Sequence, residues 1–275
     1  MMEFEAALAA LRKQSYYIDQ PDADFMDENS LLHFINRVGF CPLSPNRRFD
    51  LPNLCTFQRS EFRHHSDHIV AQRLAFYGRV FRRKSGFLAL DMLPCLYRLS
   101  PAGTYQGDRF GLYQDHYLSE TANRIAGIVA ARGPLSTRDL RRAIGMASAP
   151  QKHRFWRILA EAQWRYTVVK TGVTLDEEHN YIYQWDSFER VYQEYAVEGL
   201  AMDSLEAGMR IVERFINTTI ASTSNMIARL FFLNEQFVEY TAQKLAADNR
   251  LRELSVNGSM FWVSLDHFDE LMETI

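Results

Sequence analysis

The feature that most constrains this chain is a run of helix punctuation between residues 119 and 186. Ser119 precedes Ala122, Ile125, Ile128 and Val129, apolar at helical spacing, and Arg132-Gly133-Pro134 ends that helix. Ser136 or Thr137 can cap a short helix over 138–144, which stops at Gly145. A third helix spans 150–164 and turns Phe155, Ile158, Leu159 and Ala162 inward. Two strands follow, 167–172 and 181–185, joined by an acidic turn at 176–180. Three helices and then a two-stranded ribbon, with short connections, is the order of a winged helix.

The same order recurs over 203–268. Asp203 can cap a helix at 204–217 with Leu205, Met209, Val212 and Ile216 on one stripe. A shorter helix spans 222–232, and Asn234 caps a third that runs to 248. The segments 251–256 and 260–265 flank Asn257-Gly258, a hairpin signal. Repetition of one unit predicts a mainly α fold with small β-wings, built as tandem winged-helix units. Residues 31–110 are expected to be a diverged first unit, preceded by a helix at 4–14 and an acidic loop within residues 1–30. In that first unit Asn29 or Ser30 caps a helix over 31–38 that Gly39 ends. Pro42, Pro45 and Pro52 make 41–67 mostly loop. The spacing of Ile69, Leu74, Tyr77 and Phe81 predicts a helix over 68–84, then an extended run at 87–90 and helical turns at 93–99.

A net charge of −3 conceals a strong asymmetry. Residues 31–170 hold 22 Lys+Arg against 9 Asp+Glu, while the rest of the chain holds 9 against 25. The only lysines are Lys13, Lys84, Lys152, Lys170 and Lys244, so arginine supplies most of the positive charge. Its planar fork suits bidentate phosphate contact, and a basic middle points to a polyanion. The acidic ends covering that middle within the fold would give the same counts.

Candidate contacts to duplex DNA are Gln151, Lys152, His153, Arg154 and Arg157 at the start of the third central helix. In helix-turn-helix docking these turns approach the major groove, and most hydrogen bonds go to phosphates. Arg138, Arg141 and Arg142 extend the patch, and Arg79, Arg82, Arg83 and Lys84 form a second basic segment. A solvated helix face is the plainer alternative. The third helix of the C-terminal copy carries Glu235, Glu239 and Asp248 against Lys244, which suits a structural role or a protein partner.

Several classes are excluded by absent patterns. There is no Walker motif, no G-x-G-x-x-G, no H-E-x-x-H and no G-x-S-x-G, and no cofactor is expected. No run of eighteen apolar residues suggests a membrane span, and the acidic start lacks a secretory leader. A cytoplasmic, nucleoid-associated protein follows as the expectation. Cys41, Cys55 and Cys95 are too far apart for a CxxC pair. A zinc site joining them to His64, His65 or His68 stays open beside ordinary buried thiols. Tyr16, Tyr17, Phe57, Phe62 and Tyr105 are of the type that stacks on displaced bases, or that simply packs. Trp156, Trp164, Trp185 and Trp262 read as packing.

The run from Arg132-Gly133-Pro134 through Arg138-Asp139-Leu140-Arg141-Arg142, then Arg154-Phe155 and Val168-Val169-Lys170-Thr171-Gly172-Val173, resembles the central winged helix of the YcaQ/AlkZ family. Val38-Gly39-Phe40-Cys41-Pro42-Leu43, Tyr77-Gly78-Arg79 and Leu93-Pro94 resemble a diverged branch of that family. The resemblance covers roughly residues 30–185 and implies bacterial DNA glycosylases that excise alkylated or crosslinked bases from duplex DNA. It also implies a Gln-x-Gln or Gln-x-Asp motif after the first helix, to position the hydrolytic water. The matching stretch here is Cys41-Pro42-Leu43, with neither glutamine nor carboxylate. Substitutes are sought among Asp50, Gln58, Glu61, Asp67 and Asp91, with Asp67 and Asp50 preferred because Asp67 sits beside His64, His65 and His68. The expected function is therefore binding of duplex DNA, damaged or intact, in a protein related to base-excision glycosylases. A non-catalytic or regulatory winged-helix protein and a protein-interaction scaffold are the competing readings.

Overall fold

The fold is described from a computed structural model that covers residues 2–16, 27–45, 49, 51–54, 62–82, 84–104, 118–175 and 181–274. Helix α1 is Met2–Tyr16. The first unit comprises α2 (Glu28–Val38), β1 (Phe40–Pro42), α3 (Phe62–Ala71), β2 (Phe76–Phe81) and β3 (Lys84–Leu88), and α4 (Leu93–Leu99) follows it. The second comprises α5 (Glu120–Arg132), β4 (Leu135–Ser136), α6 (Thr137–Ala143), α7 (Lys152–Trp164), β5 (Val168–Leu175) and β6 (Tyr181–Ser187), followed by α8 (Gln193–Ala201). The third comprises α9 (Ser204–Thr219), β7 (Ala221–Ser222), α10 (Ser224–Phe231), α11 (Glu235–Ala247), β8 (Leu251–Val256) and β9 (Ser259–Ser264), closed by α12 (Leu265–Thr274). Each unit's three strands pair antiparallel in one order, first–third–second, so three winged-helix-like units repeat along the chain.

The caps explain why the second and third units fold where their residues dictate. Ser119 accepts from the Ala122 N–H at 3.3 Å, Ser136 from Asp139 at 3.0 Å, and Asn234 from Phe237 at 3.1 Å. Asp203 accepts from both Leu205 and Glu206. Each satisfies a helix N–H that lacks an intrahelical partner. In the first unit the cap of α2 is Asp27, which accepts from Ser30 at 2.7 Å, in place of Asn29 or Ser30.

The expected helix over 68–84 does not form. Helix α3 begins earlier, inside the stretch expected to be loop, and ends at Arg73, whose φ of 57° lies in the left-handed region. The Leu74 N–H then closes onto the Ile69 carbonyl at 3.0 Å, the six-to-one bond of a Schellman-type helix end. The remaining residues form a hairpin in which Gly78 pairs with Gly86. A Cβ on Gly86 would lie 2.4 Å from the Phe81 ring and 2.6 Å from the Cys41 carbonyl, so this crossing of strands requires glycine.

The units are fused by packing. One core takes Phe40 and Phe81 from the first unit, Tyr166 and Val169 from the second, and Phe215 and Trp262 from the third. The second unit keeps its own core of Ile125, Phe155, Leu159 and Trp185. Helix α1 joins the far end of the chain, packing Phe4 and Leu8 against Phe261 and Leu271. Arg12 secures it by donating to the Thr219 and Ala221 carbonyls at the C-terminus of α9, where a cation suits the helix dipole.

Candidate nucleic-acid interface

The basic residues of α7 fall on its solvent side because Phe155, Ile158, Leu159 and Ala162 take the inward positions. Lys152, His153, Arg154 and Arg157 are all exposed. Gln151 is half-buried and accepts from Ser148 at 2.8 Å, so its carboxamide shapes the turn into α7. On α6, Arg138 and Arg142 are exposed, and Arg142 bonds Asp139 at 3.1 Å. Arg141 is turned back. Its Nε donates to the Met146 carbonyl and its Nη2 to those of Ala147 and Ser148, so it braces the connection between α6 and α7.

Between α6, the start of α7 and the wing strand β6 lies an open cleft of about 410 Å³. Its walls include Arg138, Arg142 and Lys152, together with Trp156, Tyr181 and Tyr183. Trp156 packs edge-on against Trp185 and Tyr183, and the Trp185 indole donates to Thr137 at 2.8 Å. Cations over an aromatic floor suit a phosphodiester chain with adjoining bases.

Tyr183 also borders a second cavity, about 360 Å³, between the first and second units. The first unit contributes Leu43, Phe62, Arg63, Asp67, Tyr77 and Phe87, and the second contributes Lys170 and Tyr183. Lys170 reaches it from β5, where a bulge between Lys170 and Gly172 shifts the register against β6. Such bulges re-aim side chains. The Lys170 ammonium donates to Asp67 Oδ1 at 2.6 Å and lies 4.5 Å from the Tyr183 ring centre and 5.1 Å from that of Tyr77. Side-chain exposures of 7% for Lys170 and 9% for Asp67 make this a buried ion pair. Desolvation lowers the Lys170 pKa from its ordinary value, and the hydrogen bond to Asp67 partly opposes that. Asp67 Oδ2 is buried and has no hydrogen-bond donor among the described residues. An acceptor left in that state costs free energy unless a donor arrives.

The polar cluster that made Asp67 a candidate is not what surrounds it. His64 is exposed, and His68 bonds Glu28 at 2.6 Å on the outer side of α3. No group of side chains able to hold a metal forms among the described residues. Cys41 and Cys95 are buried in different cores, and burial raises the Cys41 thiol well above its ordinary value. A thiol so placed is inert. Cys41 and Pro42 are thus core, and only Leu43 of that stretch reaches the cavity.

The second basic segment lies on the β2–β3 hairpin. Arg82 lies over the Phe232 ring at 6.0 Å, at the hairpin turn beside the third unit. Arg79 is half-buried on the Tyr77 side of β2, and Lys84 is exposed at the start of β3. Of the aromatic candidates, Phe62 lines the cavity while Tyr16 is buried. Asp50, Arg83, Gln58, Glu61, Cys55, Tyr17, Phe57 and Tyr105 lie outside the described residues. In the third unit Glu239 is held by the Ser224 hydroxyl at 2.5 Å, and Glu235 bonds Asn225 at 2.6 Å. Sequence reasoning missed Lys170, Tyr77, Tyr183 and Arg63 as site residues. A lysine within a valine-rich strand of an arginine-rich chain was the available signal for Lys170.

Three winged-helix-like units, fused through a shared core, define a tandem winged-helix protein of mainly α class. A family model described as AlkZ related matches residues 26–232, and the chain belongs to that family. Among solved structures it is similar to the DNA glycosylase AlkZ of Streptomyces sahachiroi, with a TM-score of 0.56 and 16% identity. That match covers 98% of this chain and 72% of the other. No curated protein matches the sequence.

Proposed function

We propose that this protein binds duplex DNA across α6, α7 and the β5–β6 wing, and receives an extruded nucleotide in the Asp67–Lys170 cavity. The observation that carries this reading is the sharing of Tyr183 between the cationic cleft and the Asp67–Lys170 cavity. A duplex held by Lys152, Arg154 and Arg157 would lie beside a pocket whose volume is within the usual range for small ligands. Enzymes that act on a base remove it from the stack and hold it between aromatic and apolar side chains, as Phe62, Tyr77, Phe87 and Tyr183 would. Kinship with a DNA glycosylase supports damaged DNA, including alkylated or crosslinked bases, as the target. A route through paired glutamines has no counterpart here, because Cys41 is core and Leu43 is apolar.

The test compares binding of an intact duplex with one carrying a single tetrahydrofuran abasic analogue opposite an orphan base. Loss of stacking makes extrusion cheaper, so tighter binding to the analogue is expected. Phe62→Ala, at a residue that borders the cavity and not the cleft, should erase that preference and leave intact-duplex binding largely in place. Equal affinity of the native protein for both duplexes would defeat the cavity as a nucleotide site.

A further inference from the structure

The Asp67–Lys170 pair is a costly way to join two units. Buried ion pairs are often matched or exceeded in stability by apolar packing of similar volume, so cohesion alone does not require one here. This pair also lines a cavity, with aromatic faces around the ammonium and an unsatisfied carboxylate oxygen beside it. An amine desolvated in an apolar pocket is the form in which lysine attacks carbonyl carbon. Resting on the reading of the cavity as a nucleotide site, we propose that Lys170 is a nucleophile toward the C1′ aldehyde of a base-less deoxyribose, with Asp67 as its proton acceptor.

The chemistry closes without any oxidant or reductant. Proton transfer along the 2.6 Å contact from the Lys170 ammonium to Asp67 replaces two buried charges by two neutral groups. The free amine forms an N–C1′ bond as the carbonyl π pair moves to oxygen, giving a carbinolamine. Asp67 returns a proton to the departing hydroxyl, water leaves, and an iminium remains. The Asp67 carboxylate then removes a C2′ proton, and the electron pair expels the 3′ phosphate as the C3′–O bond breaks. Asp67 passes that proton to the departing phosphate, and addition of water to the iminium releases an unsaturated aldehyde and restores the Lys170 ammonium. The net reaction is a strand nick on the 3′ side of an abasic site. In this account the protein acts on the product of base loss.

The experiment incubates the full chain with a duplex containing one true abasic site in the presence of borohydride, which reduces an imine to a stable secondary amine. A covalent protein–DNA adduct is expected, mapping by mass spectrometry to Lys170. Lys170→Arg keeps the charge and the partner for Asp67 but removes the primary amine, so it should fold, bind the tetrahydrofuran duplex and form no adduct. Lys244→Ala, an exposed lysine on α11, should form the adduct as the native chain does. Asp67→Asn should slow both adduct formation and nicking by about 100-fold, the low end of what a positioned proton acceptor supplies. An adduct that persists in Lys170→Arg, or that maps to another lysine, overturns the inference and leaves DNA binding intact. Failure of the native chain to bind the tetrahydrofuran duplex overturns the nucleotide cavity and this chemistry together.

Discussion

Helices α3 and α7 hold the same place in successive units and carry their charge in opposite directions. On α3 the polar residue that matters, Asp67, is turned inward and locked to Lys170 of the next unit. On α7 the corresponding stretch presents Lys152, Arg154 and Arg157 to solvent. The difference lies in which residues each helix turns inward. Helix α3 lies against β5 of the second unit, so part of its polar face becomes an inter-unit seam. Helix α7 in turn meets β2 of the first unit, but the residues it turns inward are Phe155, Ile158, Leu159, Ala162 and the uncharged Gln163. Charge on α3 is therefore coupled to folding, and charge on α7 is available for binding.

That contrast is sharpest at Asp67. Asp67→Ala leaves the Lys170 ammonium buried without its partner, and a loss of about 3–5 kcal/mol is expected in chemical denaturation. A loss below about 1 kcal/mol, as for an exposed pair, would show that α3 is no more committed to the fold than α7.

Alkaline pH should weaken the inward side next. Burial raises the phenols of Tyr166 and Tyr192 above their ordinary 10.0 and the Cys41 thiol above its ordinary 9.0. Above these ordinary values the unfolded chain releases protons that the folded chain retains, so stability falls with rising pH. The slope is up to about 1.4 kcal/mol per group per pH unit. Lys170 acts in the opposite sense, because its lowered pKa lets the folded chain lose a proton first, but it is one group against three. Denaturation midpoints between pH 8 and about pH 11 would show the fall. A flat profile would contradict the burial of these groups.

On the outward side, stability effects should nearly vanish. Arg142→Ala removes an exposed pair with Asp139 and should cost less than about 1 kcal/mol. Arg154→Glu/Arg157→Glu should change stability by no more than about 0.5 kcal/mol per site. A large loss in either case would mean that α7 shares the structural burden of α3.

The same contrast explains what was legible in the sequence. The second and third units were readable because Ser119, Ser136, Asp203 and Asn234 are standard cap residues used as caps. The first unit was not, because its turns are made by arginines. Arg73 and Arg82 both adopt positive φ, a conformation that sequence patterns assign to Gly, Asn or Asp. Ile69, Leu74, Tyr77 and Phe81 meanwhile imitate helical spacing across what is a helix end followed by a hairpin. Asp67 was singled out for its histidine neighbours, yet its structural partner is Lys170, 103 residues away. Nothing local marks a pairing between units. The exposed face of α7 was readable, since helical periodicity alone separates it from Phe155 and Leu159. The bracing role of Arg141 was not, because it depends on the path of the following loop.

The central claim is that α7 offers its cations to duplex DNA while α3 spends its charge on the fold. The salt dependence of duplex affinity, for the native chain and for Arg154→Glu/Arg157→Glu, tests it most directly. If Lys152, Arg154 and Arg157 each neutralise a phosphate, affinity should fall about 40-fold between 50 and 200 mM salt. The double variant should bind weakly, with a log–log slope shallower by about two, and should unfold at the same denaturant concentration as the native chain. Equal slopes and equal affinities for the two proteins would contradict the account.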